Sequence, residues 1–218
     1  VIELAQGEFF KLAAHDDVCE PGFIEACVNA LDQSPDAVLA YTDAKLVRND
    51  FWGNQRLHRH TQRTDSTSAS TRFSDMIGDF QGFQVFGCIR TDVLRRTRPF
   101  GPWKAADRLF MAELALQGPF AQVKEFLFIY RLHALQSLSM VDKPEQYHDW
   151  WTAKGDHSQR IYPHWRFLRE LTGMVNRAPV TMAERMRCYS EITGWIKQTS
   201  RALWHELYPS RPAAESNE

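Results

Sequence analysis

The feature that most restricts how this chain can fold is a strand–helix–strand pattern near its start. Residues 8–14 (EFFKLAA) form a short apolar run with Gly7 before it and the polar His15-Asp16-Asp17 after it, the pattern of a buried strand. Pro21 stands where a helix begins, and Phe23, Ile24, Cys27, Val28 and Leu31 then recur at the spacing of one helix face. Ser34-Pro35-Asp36 ends that helix, and residues 37–41 (AVLAY) predict a second apolar strand. A strand, a helix and a strand at this spacing make a crossover unit, so parallel pairing in an α/β sheet is expected.

Further along, residues 49–54 (NDFWGN) read as a turn. Residues 56–72 are polar and Ser/Thr-rich and read as a mobile surface loop. Residues 83–90 predict a strand, residues 106–117 a helix closed by Gly118, and residues 126–130 (FLFIY) another buried strand. From about Pro144 the pattern turns to helices alone. Thr181 and Glu184 form a capping box, and the helix they open carries Met186, Tyr189, Ile192, Ile196, Leu203 and Leu207 on one stripe. Residues 209–218 read as a disordered tail. The expected organisation is an α/β domain over 1–140, a helical extension over 141–208 and that tail.

Composition excludes several classes. Hydrophobic residues make up 44% of the chain, enough to bury a core, and the formal net charge of -1 lacks the basic footprint of a nucleic-acid binder. The four cysteines are far apart with no CxxC pair, which argues against a disulfide framework or zinc knuckle and for a reducing, cytoplasmic compartment. No apolar run approaches the roughly 20 residues that span a bilayer. The chain opens Val1-Ile2-Glu3 without a signal peptide or an initiator methionine, as a fragment would.

Three groups of residues can carry chemistry. Asp16 and Asp17 follow a strand, at the mouth where α/β proteins bind ligands. Two neighbouring carboxylates repel unless a cation joins them, so a divalent ion with oxygen ligands suits them; a helix N-cap is the plainer use. Asp107 follows a Gly/Pro loop at the start of a helix, where it can serve as a general base or simply favour the helix dipole. Arg131 and His133, with Gln136 and Ser137 after them, suit a diphosphate, and a neutral imidazole can ligate a metal; a strand-end surface cluster is the alternative. Trp103 can stack on a sugar ring or sit in a core. His58, His60, His148, His157, His164 and His205 show no coherent ligand spacing and read as surface or core residues. The basic, aromatic set Trp195, Lys197, Arg201 and Trp204 either packs against the domain or contacts a membrane surface peripherally. His15-Asp16 is also the pair of an HD phosphohydrolase, but that chemistry needs the pair on a helix.

In order along the chain, these residues resemble the middle of family 2 glycosyltransferases of GT-A fold. The run Gly7-Glu8-Phe9-Phe10 through Asp16-Asp17 and Pro21 is similar to the family's "G-e-y…D-D-x-x-x-P". The 49–53 turn is similar to its "D-x-x-G", Asp107 to the second residue of its "E-D" pair, and Tyr130-Arg131-Leu132-His133 with Ser137 to its closing "Y-R-x-H-x-x-x-S". The resemblance covers about residues 1–140. It implies a nucleotide-sugar donor, a glycan or lipid-linked acceptor, a divalent metal (Mg or Mn) and transfer with inversion, with polysaccharide or surface glycan synthesis as the setting. On this resemblance Asp17 binds the metal with Asp16 and His133, Asp16, Arg131 and His133 face the donor diphosphate, Asp107 is the base and Trp103 meets the acceptor. The chain departs from the pattern in three ways. His15 stands where many members have Asp, Ala106 replaces the Glu of "E-D", and the family's first nucleotide-binding strands would precede Val1, so weak donor binding by this chain alone is expected. A non-catalytic remnant or scaffold binding partners through its C-terminal helices is the rival from another class, and a metal-dependent phosphate-ester hydrolase is a third reading.

Overall fold

The structure is a computed structural model that describes residues 2–48, 53–78, 80–98, 101, 105–133 and 162–208. Trp103, Gln136, Ser137, His148, His157, most of the 49–54 turn and the 209–218 tail lie outside the described residues.

Among the described residues six strands and six α-helices follow in order: β1 (Phe9–Lys11), β2 (Val18–Cys19), α1 (Phe23–Gln33), β3 (Leu39–Arg48), β4 (Gln55–His58), α2 (Ala69–Gly78), β5 (Cys88–Arg90), α3 (Thr91–Leu94), α4 (Ala106–Gln117), β6 (Phe120–Leu132), α5 (Pro163–Arg177) and α6 (Met182–Leu207). The strands form one mixed sheet in the order β1-β5-β3-β6-β2. β3 and β6 pair in parallel along the length of β3, with a register shift around Asp43. The other edge of β3 is shared, by β5 at Leu39 and Ala40 and by β4 from Ala44 to Val47, both antiparallel.

The sheet divides the core by side-chain alternation. Ala40, Ala44, Cys88 and Phe128 face α1, whose Phe23, Cys27 and Leu31 are buried against them. Leu39, Tyr41 and Ile89 face the other way, into a larger cluster with Phe73 and Met76 of α2, Met111 and Leu114 of α4, Leu171 and Met174 of α5, and Cys188 and Ile192 of α6. The chain is thus layered helix, sheet, helices, and α5 and α6 share a core with the helices that precede them.

Several elements differ from the sequence expectation. The first strand is only Phe9–Lys11 and half-buried, and β5 lies between it and β3. β1 and β3 each pair antiparallel with β5, so they run the same way without touching. The 56–72 segment is a loop only over 59–68: its first residues form β4, exposed on its side chains and held by backbone pairing, and its end opens α2 with Arg72 buried. Arg72 donates to the carbonyls of Ala115 (2.8 Å) and Ser66 (2.6 Å), which is how a guanidinium is accommodated in a core. Residues 83–90 split into a 3-10 turn (Phe83–Phe86) and β5.

The capping box is half formed. The Thr181 side chain accepts from the Glu184 N–H, but the Glu184 carboxylate reaches across to α2, accepting from the Ser70 N–H at 2.8 Å and the Ser68 hydroxyl at 3.1 Å. On α6, Met186 and Leu207 of the expected stripe are exposed, and Cys188 is buried. Trp195 stacks on Phe167 of α5, whereas Trp204 is exposed and lies against Tyr208.

Gly118 does close α4, but in extended backbone rather than the left-handed cap expected of a helix-ending glycine. A Cβ there would stand 2.5 Å from Val38 Cγ1, so closeness to the strand sets the need for glycine. The four cysteines are free thiols, and no helix among the described residues is long and apolar enough to cross a membrane.

Candidate active site

Asp16 and Asp17 do not end a strand directly. β1 stops at Lys11, and the pair sits in a bend that opens β2. β2 is antiparallel to β6, with Val18 opposite Ile129 and Cys19 opposite Phe128. Where that ladder ends, the Asp17 side chain takes over: its Oδ1 accepts the Arg131 backbone N–H at 3.0 Å. The Arg131 Nε donates to the Asp16 carbonyl at 3.2 Å, and His133 Nε2 lies 2.9 Å from Asp16 Oδ2. The end of β6 therefore holds the acidic bend at three points. His15, with 93% of its side chain exposed, reaches Asp16 Oδ1 only at 3.8 Å, and no helix carries His15-Asp16, so the HD geometry is absent.

The two carboxyls titrate in opposite directions. Burial works against ionisation at Asp16, but the His133 hydrogen bond, a backbone amide and the charges of His15 and His133 outweigh it and hold the carboxyl below its ordinary value. Asp17 is pushed up to about 6, first by burial and further by the Asp16 charge, against the Arg131 amide that opposes the shift.

Asp107 is in the first turn of α4, where its Oδ1 accepts the Arg108 N–H at 2.8 Å. Burial raises its carboxyl above the usual range. The residue before the helix, Ala105, has φ 61 and ψ 28, the one non-glycine positive φ among the described residues. A left-handed alanine is strained by about 1 kcal/mol or more, and such outliers gather at functional sites.

Tyr130 connects the two acidic groups. Burial raises its phenol to about 12, and the charges of Asp17, Asp16 and Asp107 push the same way, so all three carboxylates act electrostatically on one hydroxyl. The Tyr130 ring meets Phe83 edge-on at 4.8 Å, Phe83 meets His58 at 5.1 Å, and His58 meets His60 at 5.2 Å. Behind them lies a buried polar cluster. Asp43 Oδ1 accepts from Gln122 at 2.7 Å and from the His60 N–H at 3.3 Å, while Asp43 Oδ2 and His60 Nε2 have no hydrogen-bond partner among the described residues. The sequence reading missed Tyr130 as a site residue and took His58 and His60 as unrelated. Their i, i+2 spacing, which puts two side chains on one face of extended chain, was the available signal.

Among the described residues no three His, Cys, Asp or Glu side chains form a ready metal cage. The pair still fits a leaner site. Magnesium-type ions in phosphate chemistry are held by one or two carboxylates, with substrate phosphates and water completing the shell. Asp17 makes no hydrogen bond among the described residues besides that from Arg131, and its raised carboxyl is the kind that a cation would draw into the ionised form. His133 contacts Asp16 through Nε2, so in this geometry it orients the carboxylate.

The chain matches no protein-family model and no curated protein. Among solved structures it is similar to residues 1–349 of TarS from S. aureus, a glycosyltransferase, with TM-score 0.57 and 14% identity over 96% of this chain. The fold is glycosyltransferase-like. At that identity the likeness speaks for the fold alone, and this chain spans 53% of the TarS chain. The mixed sheet with helices on both faces is the GT-A-type architecture that the sequence resemblance implied.

Proposed function

We propose that this chain carries the diphosphate-binding and acceptor side of an inverting, nucleotide-sugar-dependent glycosyltransferase of the family 2 type. The observation that carries the reading is the fastening of the Asp16-Asp17 bend to the end of β6, where the Arg131 N–H meets Asp17 Oδ1 at 3.0 Å and His133 Nε2 lies 2.9 Å from Asp16 Oδ2. It gives two carboxylates a fixed geometry for a cation, and the charges of both, with that of Asp107, act on the Tyr130 phenol.

In this reading Asp107 takes the proton from the acceptor hydroxyl. Burial, which raises its carboxyl, moves its basicity toward the working range of a general base. The acceptor oxygen attacks the anomeric carbon from the face opposite the leaving group, the bond to the nucleoside diphosphate breaks, and the configuration inverts. A divalent ion (Mg or Mn) held by Asp17 and Asp16, with His133 orienting the Asp16 carboxylate, would supply positive charge for the departing diphosphate. His133 fixes the Asp16 carboxylate, and Arg131 clamps the acidic bend while adding its own positive charge beside it.

Nucleoside diphosphate release from a panel of UDP-, GDP- and CDP-sugars, with Mn and with or without a glycan acceptor, tests the proposal. Release that requires acceptor and stops with a chelator supports transfer. Acceptor-independent phosphate release would instead identify a hydrolase. The rival reading is a non-catalytic transferase remnant binding partners through its C-terminal helices. That rival predicts no divalent-dependent binding of a nucleoside diphosphate.

A further inference from the structure

We propose that the cavity between α5, α6 and the start of α4 is a subsite for a neutral sugar unit of the acceptor. The inference rests on the transferase reading and gives it a substrate class. The cavity has a volume of about 320 Å³ and is lined by Ala105, Arg108, Phe167, Trp195 and Gln198, among others. Ala105 and Arg108 flank Asp107 in sequence, so the cavity opens at the same turn of α4 as the candidate base, although Asp107 itself is not among the lining residues. Its size is at the lower end of small-molecule sites, which run from about 300 Å³ upward, and suits a single sugar ring.

The lining chemistry selects the ligand class. Phe167 is buried and stacks on Trp195 with ring centroids 5.1 Å apart, which fixes the indole in the cavity wall. The Trp195 indole N–H and the Gln198 amide take part in no hydrogen bond among the described residues, and both belong to uncharged groups. The charged neighbours are already committed. Arg108 donates to the Met76, Ile77 and Gly78 carbonyls at the end of α2, and His164 is held by the Glu206 carboxylate. The one guanidinium a phosphate would meet, Arg108, already directs its Nε and Nη2 at those carbonyls. A hydroxyl-bearing ring finds an aromatic wall and neutral hydrogen-bonding groups, the combination that recognises carbohydrate.

The test is a titration of the whole chain, followed by the indole N–H resonance of Trp195 in 1H–15N spectra and assigned with Trp195→Phe. The probes are methyl β-glucoside, methyl β-galactoside, N-acetylglucosamine and N-acetylgalactosamine, with inorganic phosphate and Mn·UDP as controls. At least one neutral sugar should shift the Trp195 resonance saturably, while inorganic phosphate leaves it in place. Gln198→Ala, a change on an exposed helix position, should weaken that sugar about fivefold, as expected for one neutral hydrogen bond. No shift with any of the four sugars, or an equal shift with phosphate, overturns the subsite. Mn·UDP binding is read separately: a sugar shift without it keeps the subsite and removes the transferase reading, and the reverse removes the subsite alone.

Discussion

His133 Nε2 stands 2.9 Å from Asp16 Oδ2, joining the last described residue of the β6 segment to a carboxylate 117 positions earlier. With the Arg131 N–H on Asp17, this contact makes the acidic bend an extension of the sheet. A bend fastened in this way can hold charge in a fixed geometry, as stabilisation of a leaving group requires.

The Asp107→Asn variant should lower sugar transfer by about a hundredfold or more, the scale of a lost general base, while Mn-dependent diphosphate binding stays within about twofold of wild type. Turnover measured beside calorimetric titration checks this. Loss of both together would mean that Asp107 supports the fold and is not the base.

His60 should make the fold acid-sensitive. It is 5% exposed, and burial first, with the His58 charge second, lowers its imidazole from 6.5 to about 4 despite the Asp43 charge. Between those values the unfolded chain binds a proton that the folded chain refuses, so stability rises with pH across the window and is lost as pH falls from about 6.5 to 4. The effect can reach about 3 kcal/mol. Denaturant melts at pH 7, 5.5 and 4.5 should show that slope in wild type and a flatter one in His60→Gln. An equal slope in both would contradict the assignment.

Two glycines are required by space. A Cβ at Gly87 would lie 2.3 Å from the Ala40 carbonyl oxygen, and one at Gly118 would lie 2.5 Å from Val38 Cγ1 and 2.9 Å from the Asp36 oxygen. The Gly87 clash is with the backbone of the central strand, so Gly87→Ala should cost more than Gly118→Ala, which overpacking places at about 1–3 kcal/mol. Thermal denaturation of the two variants gives the order.

Glu184→Gln should destabilise the chain by about 1–2 kcal/mol, more than a capping role within its own helix would suggest. Its carboxylate accepts from Ser70 N–H at the start of α2 and pairs with Arg187 at 2.6 Å, so it ties α6 to α2. A loss confined to α6 in hydrogen exchange, with α2 amides unchanged, would contradict the tie.

What was legible in the sequence follows from how local the cause is. Helix α4 was readable because its apolar residues and Gly118 mark both the element and its end. β4 was not, because its side chains are exposed and only pairing with β3 makes it a strand. α2 read as polar because Arg72 is buried by virtue of distant carbonyls, which residue type does not reveal. In the same way Asp16, Asp17, Asp107 and His133 stood out by type and order, whereas Tyr130 with His58, His60 and Phe83 becomes a site neighbour only through packing across the sheet. Trp195 and Trp204 looked alike on one helix, yet the contact with Phe167 separates them into a wall residue and a surface residue.

The most direct measurement is a calorimetric titration of UDP into the protein with and without Mn, comparing wild type with Asp17→Ala. The proposed site predicts Mn-dependent binding in wild type that weakens at least about tenfold in the variant, equivalent to about 1.4 kcal/mol. Equal binding by both proteins, or no Mn-dependent binding by either, would contradict a diphosphate site at Asp16 and Asp17.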